Sequence, residues 1–200
     1  MRRLATCFAM VGPQSRLFFD RPIAGLNALK YRAMELFLTR HGIAGQKIDG
    51  AIVIDAQRPL TDEGRHETRQ VAQALKRLGL KPDLIATSPL ARAHQTAEII
   101  ADVFGLAQSV QTCEALAPGG TASDLYKFLA NVKQVEQAFL VGHEPDMSRL
   151  AATMLWAGPE LDMPFKKSGV CRIDITDLPP TAPGTLKWLI TPKMAALMSR

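Results

Sequence analysis

Cysteine is scarce in this 200-residue chain, with three residues at Cys7, Cys113 and Cys171. Widely spaced and odd in number, they supply neither a disulfide framework nor a CxxC pair for zinc. A reducing, cytoplasmic setting is therefore expected. Long apolar runs are lacking too: the longest, such as Leu150–Gly158, reach about half of the roughly 18 residues that a spanning helix needs, which argues against a membrane protein. Internal repeats and low-complexity tracts are missing as well. What is present is ordinary globular composition, 47% hydrophobic and 22% charged with 13 prolines, which excludes a disordered, fibrous or collagen-like chain. The length suits about one domain.

Acidic residues are nearly missing from one stretch only. Residues 1–33 hold six basic residues (Arg2, Arg3, Arg16, Arg21, Lys30 and Arg32) against the single acid Asp20, leaving 18 of each sign for positions 34–200. The net charge of +5 is thus a property of the first 33 residues, and the neutral body gives no support to nucleic-acid binding. Gly12-Pro13, Pro22 and Gly25 interrupt every apolar run in this stretch before a helical period can establish itself. It reads as an extension of unknown role, packed loosely on the domain or lying upstream of a start at Met34. A targeting segment is the other reading, although serine is sparse and a clean cleavage site is missing.

From Met34 onward, short β-prone runs alternate with helical-period segments, the pattern of parallel strands joined by crossover helices. A strand over 35–39 leads into Arg40-His41-Gly42. A helix from about Thr61, with Val71, Leu75 and Leu78 on one face, ends at Gly79. A strand over 83–87 delivers Ser88-Pro89, read as the cap and first turn of a helix that Gly105 closes. A strand near 109–113, a helix near 122–132 and a strand over 138–141 lead to Gly142-His143-Glu144-Pro145, and the next helix runs from Pro145 to about Trp156. Segments 169–175 and 185–191 read as a closing pair of strands. Residues 34–200 are accordingly expected to form one α/β domain.

Three segments stand at carboxyl ends of predicted strands, where open α/β sheets place their ligands: Arg40-His41-Gly42, Ser88-Pro89-Leu90-Ala91-Arg92 and Gly142-His143. One parallel sheet would bring His41, His143, Arg40 and Arg92 to a single rim. Guanidinium forks match phosphoryl oxygens and stay charged at any working pH, and a histidine can act as nucleophile or proton carrier. Singly, each residue has a duller reading as a surface or ion-paired side chain. Their joint occurrence at three strand ends is what carries weight. His66 and His94 lie within predicted helices without metal-ligand spacing and are assigned surface or capping roles.

These segments resemble the histidine phosphatase superfamily, and within it the small phosphohistidine phosphatases of the SixA type. Leu38-Thr39-Arg40-His41-Gly42 is similar to the family's RHG segment, and Arg58-Pro59-Leu60-Thr61-Asp62-Glu63-Gly64 to its LTxxG segment. Residues 88–97 are similar to the segment with the second arginine, and Gly142-His143-Glu144-Pro145-Asp146 completes the set. The resemblance covers roughly residues 34–192. It implies a phosphoglycerate mutase-like fold, a three-layer α/β sandwich with a mainly parallel central sheet flanked by helices. It also implies a two-step phosphoryl transfer without metal or other cofactor: His41 attacks phosphorus and is regenerated by water, while Arg40, Arg92 and His143 bind the phosphoryl oxygens. Attack requires a neutral His41 ring, its tautomer set by a hydrogen bond from the other nitrogen, for example to a nearby backbone carbonyl.

Substrate class turns on a general acid, because an alkoxide leaving group needs a proton and an imidazole needs far less help. Related mutases and sugar phosphatases place a glutamate before the third helix. Glu114 is the carboxylate nearest that place, Asp124 follows ten residues on, and Glu144 is a rival whose plain reading is a first-turn helix carboxylate. SixA-type enzymes lack a clear acid there. The resemblance therefore implies a phosphohistidine phosphatase whose partner is a phosphorylated protein, such as a histidine phosphotransfer domain in signalling. A small-metabolite phosphomonoesterase and a low-turnover phosphoprotein-binding module are the alternatives.

Overall fold

The computed structural model describes residues 33–45, 55–106, 110–158, 161 and 163–198. The basic stretch 1–32 and Ser109 lie outside these residues. The first strand, β1 (Met34–Arg40), is followed by α1 (Asp62–Arg77), β2 (Leu84–Thr87), α2 (Ala91–Phe104), β3 (Val110–Thr112), α3 (Ala122–Asn131), β4 (Gln137–Gly142), α4 (Asp146–Met154), β5 (Val170–Ile175), β6 (Thr185–Ile190) and α5 (Pro192–Met198). One sheet runs in the order β3-β2-β4-β1-β5-β6. The first four strands in that order are mutually parallel, and β5 then pairs antiparallel with both β1 and β6.

Alternation along the central strands builds the three layers, because successive side chains point to opposite faces. Leu36, Leu38, Leu84, Ala86, Ala138 and Leu140 pack against Leu125 and Leu129 of α3 and Met147, Leu150 and Met154 of α4. Phe37, Ile85, Phe139 and Val141 face the other way, onto Val71 and Leu75 of α1, Ala93, Ala97 and Ile100 of α2, and Ala195 of α5. Phe37 and Phe139 stack at 4.8 Å between ring centroids. Full burial of such side chains contributes about 1.5–3 kcal/mol each.

The helix boundaries depart from the sequence reading at four points. Thr61 caps α1 just before its first residue, its hydroxyl accepting from Gly64 N–H, and Leu78, read as part of its apolar face, is the residue after the helix and is 51% exposed. Ser88 does not cap α2: Leu90 precedes it without a side-chain cap. Helix α4 ends two residues before Trp156. The closing helix α5, hidden behind its proline, was not anticipated. Among the described residues, no helix is long and apolar enough to cross a membrane.

Candidate active site

Strands β2, β4 and β1 are neighbours, and their register sets Arg40 opposite Gly142 and Thr87 opposite Val141. The chain therefore leaves the sheet at one level at His41, Ser88 and His143. Backbone bonds hold these exits: His41 N–H donates to the Gly142 carbonyl at 3.0 Å and Ser88 N–H to that of Val141 at 3.0 Å. Glycine is required next to His41. A Cβ on Gly42 would stand 2.7 Å from Thr68 Oγ1 and 3.2 Å from Ser168 Oγ, two hydroxyls that bond each other at 3.0 Å.

The LTxxG segment braces the loop that follows. Thr61 N–H donates to the Ile43 carbonyl at 2.9 Å, and Leu60 N–H donates to Gln95 Oε1 of α2 at 2.8 Å. Gly64 presents bare backbone to Ile43, whose carbonyl oxygen lies 2.1 Å from where a Cβ would stand.

His41 is buried, and its Nδ1–H donates to the Gly42 carbonyl at 2.7 Å. That bond fixes the tautomer and leaves a lone pair on Nε2, which accepts from Arg92 Nε–H at 3.3 Å. Burial lowers its pKa to about 3 against the pull of the Gly42 bond, with the His143, Arg92 and Arg40 charges adding to the lowering. The ring is neutral at any physiological pH. His143 lies 5.1 Å away between ring centroids, tilted by 53°. Its Nε2 bonds Ser88 Oγ at 2.8 Å. Burial, and then the Arg92 charge, bring its pKa down to about 4.

Arg92 is buried, donating through Nη1 to the Asp55 carbonyl at 2.9 Å and pairing through Nη2 with Asp55 Oδ2 at 3.2 Å. Burial presses its pKa down and the Asp55 carboxylate opposes that. Arg40 donates through Nη1 to the Phe165 carbonyl at 2.7 Å. Arg58 joins the group through Asp55 Oδ1 at 3.1 Å. Among the described residues, three buried polar atoms here find no hydrogen-bond partner: Arg40 Nε, Arg58 Nε and His143 Nδ1. Orphaned buried polar atoms are rare in folded proteins, and these three, two on guanidiniums and one on the His143 ring beside His41, leave polar atoms available to an oxyanion.

The structure thus assembles Arg40, His41, Arg92 and His143. Glu114 opens a short 3₁₀ turn, Glu114–Leu116, that passes the rim: Cys113 N–H donates to the Thr87 carbonyl at 2.8 Å. Its side chain is exposed and, among the described residues, hydrogen-bonds none of the four. Asp124 bonds Lys127 and Thr121, the lysine bond being the larger cause of its lowered pKa, which is the wrong direction for a proton donor. Glu144 lies before α4 rather than in its first turn. Its carboxylate accepts from Ser148 Oγ at 2.9 and 2.8 Å and from Phe165 N–H at 2.6 Å, so it anchors the residue whose carbonyl holds Arg40. His94 faces Glu98 and His66 faces Gln70 on exposed helix surfaces, as expected.

Asp55, Arg58 and Ser88 are the site residues for which the sequence reading had no such role. Ser88 reads as a helix cap because serine is a favoured cap residue and Pro89 after it suits a first turn. Asp55 and Arg58 adjoin the LTxxG segment, and that adjacency is the signal that could have raised them.

The fold places two imidazoles and two arginines together at parallel strand ends, and the chain belongs to the histidine phosphatase superfamily, branch 1, whose model matches residues 36–118. An uncharacterized protein from Picosynechococcus is 42% identical over 142 residues, covering 68% of this chain and 82% of its own. The phosphohistidine phosphatase SixA of Escherichia coli is 28% identical over 161 residues, covering 80% and 94%. The solved structure of the protein histidine phosphatase SixA complexed with tungstate superimposes with a TM-score of 0.69 at 26% identity, over 80% of this chain and 98% of that one.

Proposed function

We propose that the protein is a phosphohistidine phosphatase acting on a phosphorylated protein through a covalent intermediate on His41. The feature that carries this reading is the His41 Nδ1–H bond to the Gly42 carbonyl, which leaves the Nε2 lone pair facing Arg92 among the site's cationic groups. In the first step His41 Nε2 attacks phosphorus as the bond from phosphorus to the substrate's ring nitrogen breaks. The leaving ring, protonated on its other nitrogen, departs as neutral imidazole. Water then attacks the phosphorus carried by His41, releasing inorganic phosphate and restoring the ring.

Arg92 and Arg40 bind the phosphoryl oxygens, supplying the preorganised positive charge on which phosphoryl transfer depends. With the Ser88 hydroxyl donating to His143 Nε2, the His143 proton sits on Nδ1, and an equatorial oxygen provides the partner that atom lacks. Positioning of this kind accounts for a large part of such catalysis. The tungstate in the SixA structure is an oxyanion of the class this arrangement would accept. No step draws on a metal ion.

Phosphate release from a phosphohistidine peptide and from a simple phosphate ester, by wild type and His41→Ala with EDTA present, tests the proposal. Release from phosphohistidine that survives EDTA, greatly exceeds that from the ester and is lost in the variant is expected. The exposed rim position of Glu114 supports one second reading, a metabolite phosphomonoesterase with Glu114 as acid. Rapid ester hydrolysis that falls in Glu114→Gln would establish it. Binding of phosphopeptide without release from either substrate would point instead to a docking module.

A further inference from the structure

Beside Arg40 the surface opens into a trough of about 550 Å³ whose charged walls are Arg40, Lys166, Lys167, Lys193 and the single carboxylate Glu67. Ile43 and Pro192 supply apolar floor between them. All three lysines are exposed. Among the described residues none of the three lysines forms an ion pair, whereas Arg69, Lys127, Arg149 and Arg172 elsewhere on the surface do. The clustering is not a by-product of general basicity, because positions 34–200 carry equal numbers of basic and acidic residues.

Two of these lysines are held in place by the site itself. Lys166 and Lys167 sit between Phe165, buried and bonded to Arg40 and Glu144, and Ser168, whose N–H donates to the His41 carbonyl at 3.2 Å. Gly169 N–H closes the turn on the Lys166 carbonyl at 2.8 Å. The basic rim and the oxyanion site therefore share one backbone segment and keep a constant spacing.

We propose that this trough is a docking subsite for an acidic segment flanking the phosphohistidine of the protein substrate; the inference rests on the phosphohistidine reading above. Three lysines outside any ion pair and Arg40 outweigh Glu67, which acts electrostatically on Lys167 alone among them, and so leave net positive charge for Asp and Glu side chains, whose stems the apolar floor accommodates. Such complementarity raises encounter rate and selects partners more than it alters the chemical step. The subsite thus affects kcat/KM of acidic-flanked substrates and leaves the phosphoryl-transfer machinery untouched.

The test uses full-length protein and three fluorescently labelled phosphohistidine peptides whose flanks are Asp/Glu-rich, Ser/Gly-rich or Lys-rich. At low ionic strength the acidic-flanked peptide is expected to exceed the Lys-rich one by about tenfold or more in kcat/KM, a preference that shrinks as salt is raised. The K166S/K167S/K193S variant is expected to lose that preference while its turnover of the Ser/Gly peptide stays near wild type. Equal rates on all three peptides in wild type, or a preference that persists in the variant, would overturn the proposal. If no phosphohistidine peptide is turned over, the phosphatase reading fails, and anisotropy with the same peptides then reads docking by itself. Acidic selectivity lost in the triple variant would sustain the subsite, and indiscriminate binding would refute it.

Discussion

Lowering the pH from 7 to 5 asks the unfolded chain to protonate two imidazoles that the folded protein keeps neutral. The pKa values of His41 and His143, about 3 and about 4, lie below the ordinary value of 6.5. The unfolded state then binds more protons, so stability rises with pH through this range. Both contributions are fully present above about pH 6.5 and are lost as the pH falls towards the folded values. Between pH 7 and 5 the loss is about 2 kcal/mol per ring. Denaturant unfolding across this window is expected to show that decline, and a His41→Gln, His143→Gln double variant to flatten it. An unchanged slope in the variant would mean that other groups dominate acid unfolding.

Single contacts at this scale also show why Arg40 and Arg92 are not interchangeable. Arg92 bonds the His41 lone pair and is braced by Asp55, whereas Arg40 is braced by the carbonyl of Phe165, whose N–H Glu144 in turn holds. Buried Cys171 and Cys113 stay neutral thiols. Burial pushes Cys171 up to about 12, and burial is likewise the chief cause of the raised Cys113 value.

Between elements, the tightest joint lies where the start of α1 meets the loop after β1. Gly64 approaches Ile43 so closely that a methyl group would fall 2.1 Å from the carbonyl oxygen and 2.8 Å from the nitrogen. Both atoms are backbone, so accommodation must move the loop that follows His41 and Gly42. Gly64→Ala is expected to cost about 1–3 kcal/mol, as overpacking does, and to lower kcat along with stability. Thermal unfolding combined with phosphate release measures both. A variant that unfolds early yet turns over normally would show that the joint carries stability alone. The α2 start teaches a related lesson. Local sequence points to Ser88 as a cap; its hydroxyl accepts from Leu90 N–H at 3.3 Å, just short of α2, and also lies 2.8 Å from the ring of a histidine 55 positions away, a contact no local rule registers.

For the molecule as a whole, an oxyanion bound only by the folded state stabilises it by mass action. At about a hundred times its dissociation constant, tungstate or phosphate is expected to contribute about 2.7 kcal/mol, equivalent to a rise of roughly 5–10 °C in Tm for a chain of this size. Arg92→Ala should abolish the rise. A full shift in that variant would place the anion elsewhere.

The layers and the convergence of Arg40, His41, Arg92 and His143 are legible because the strands are short apolar runs and each motif follows one directly. The sheet order, the antiparallel closing strands beside β1 and the α5 cap are not, since nothing local encodes which strand lies beside which. Asp55, Glu144 and Phe165 escaped for the same reason: their roles exist only once segments 37, 21 and 125 residues apart along the chain are brought together.

The level strand ends have one more consequence, for where this chain tolerates a change of length. Phe37 faces one helix layer while Leu36 and Leu38 face the other, so deleting one residue from β1 would either carry Arg40 back into the sheet or turn every side chain to the wrong layer. The link from β5 to β6, residues 176–184, lies outside the strands and is free of that parity. An inserted tag or reporter belongs there, and insertion scanning is expected to find that link tolerant and β1, paired on both sides inside the sheet, intolerant of a single added residue.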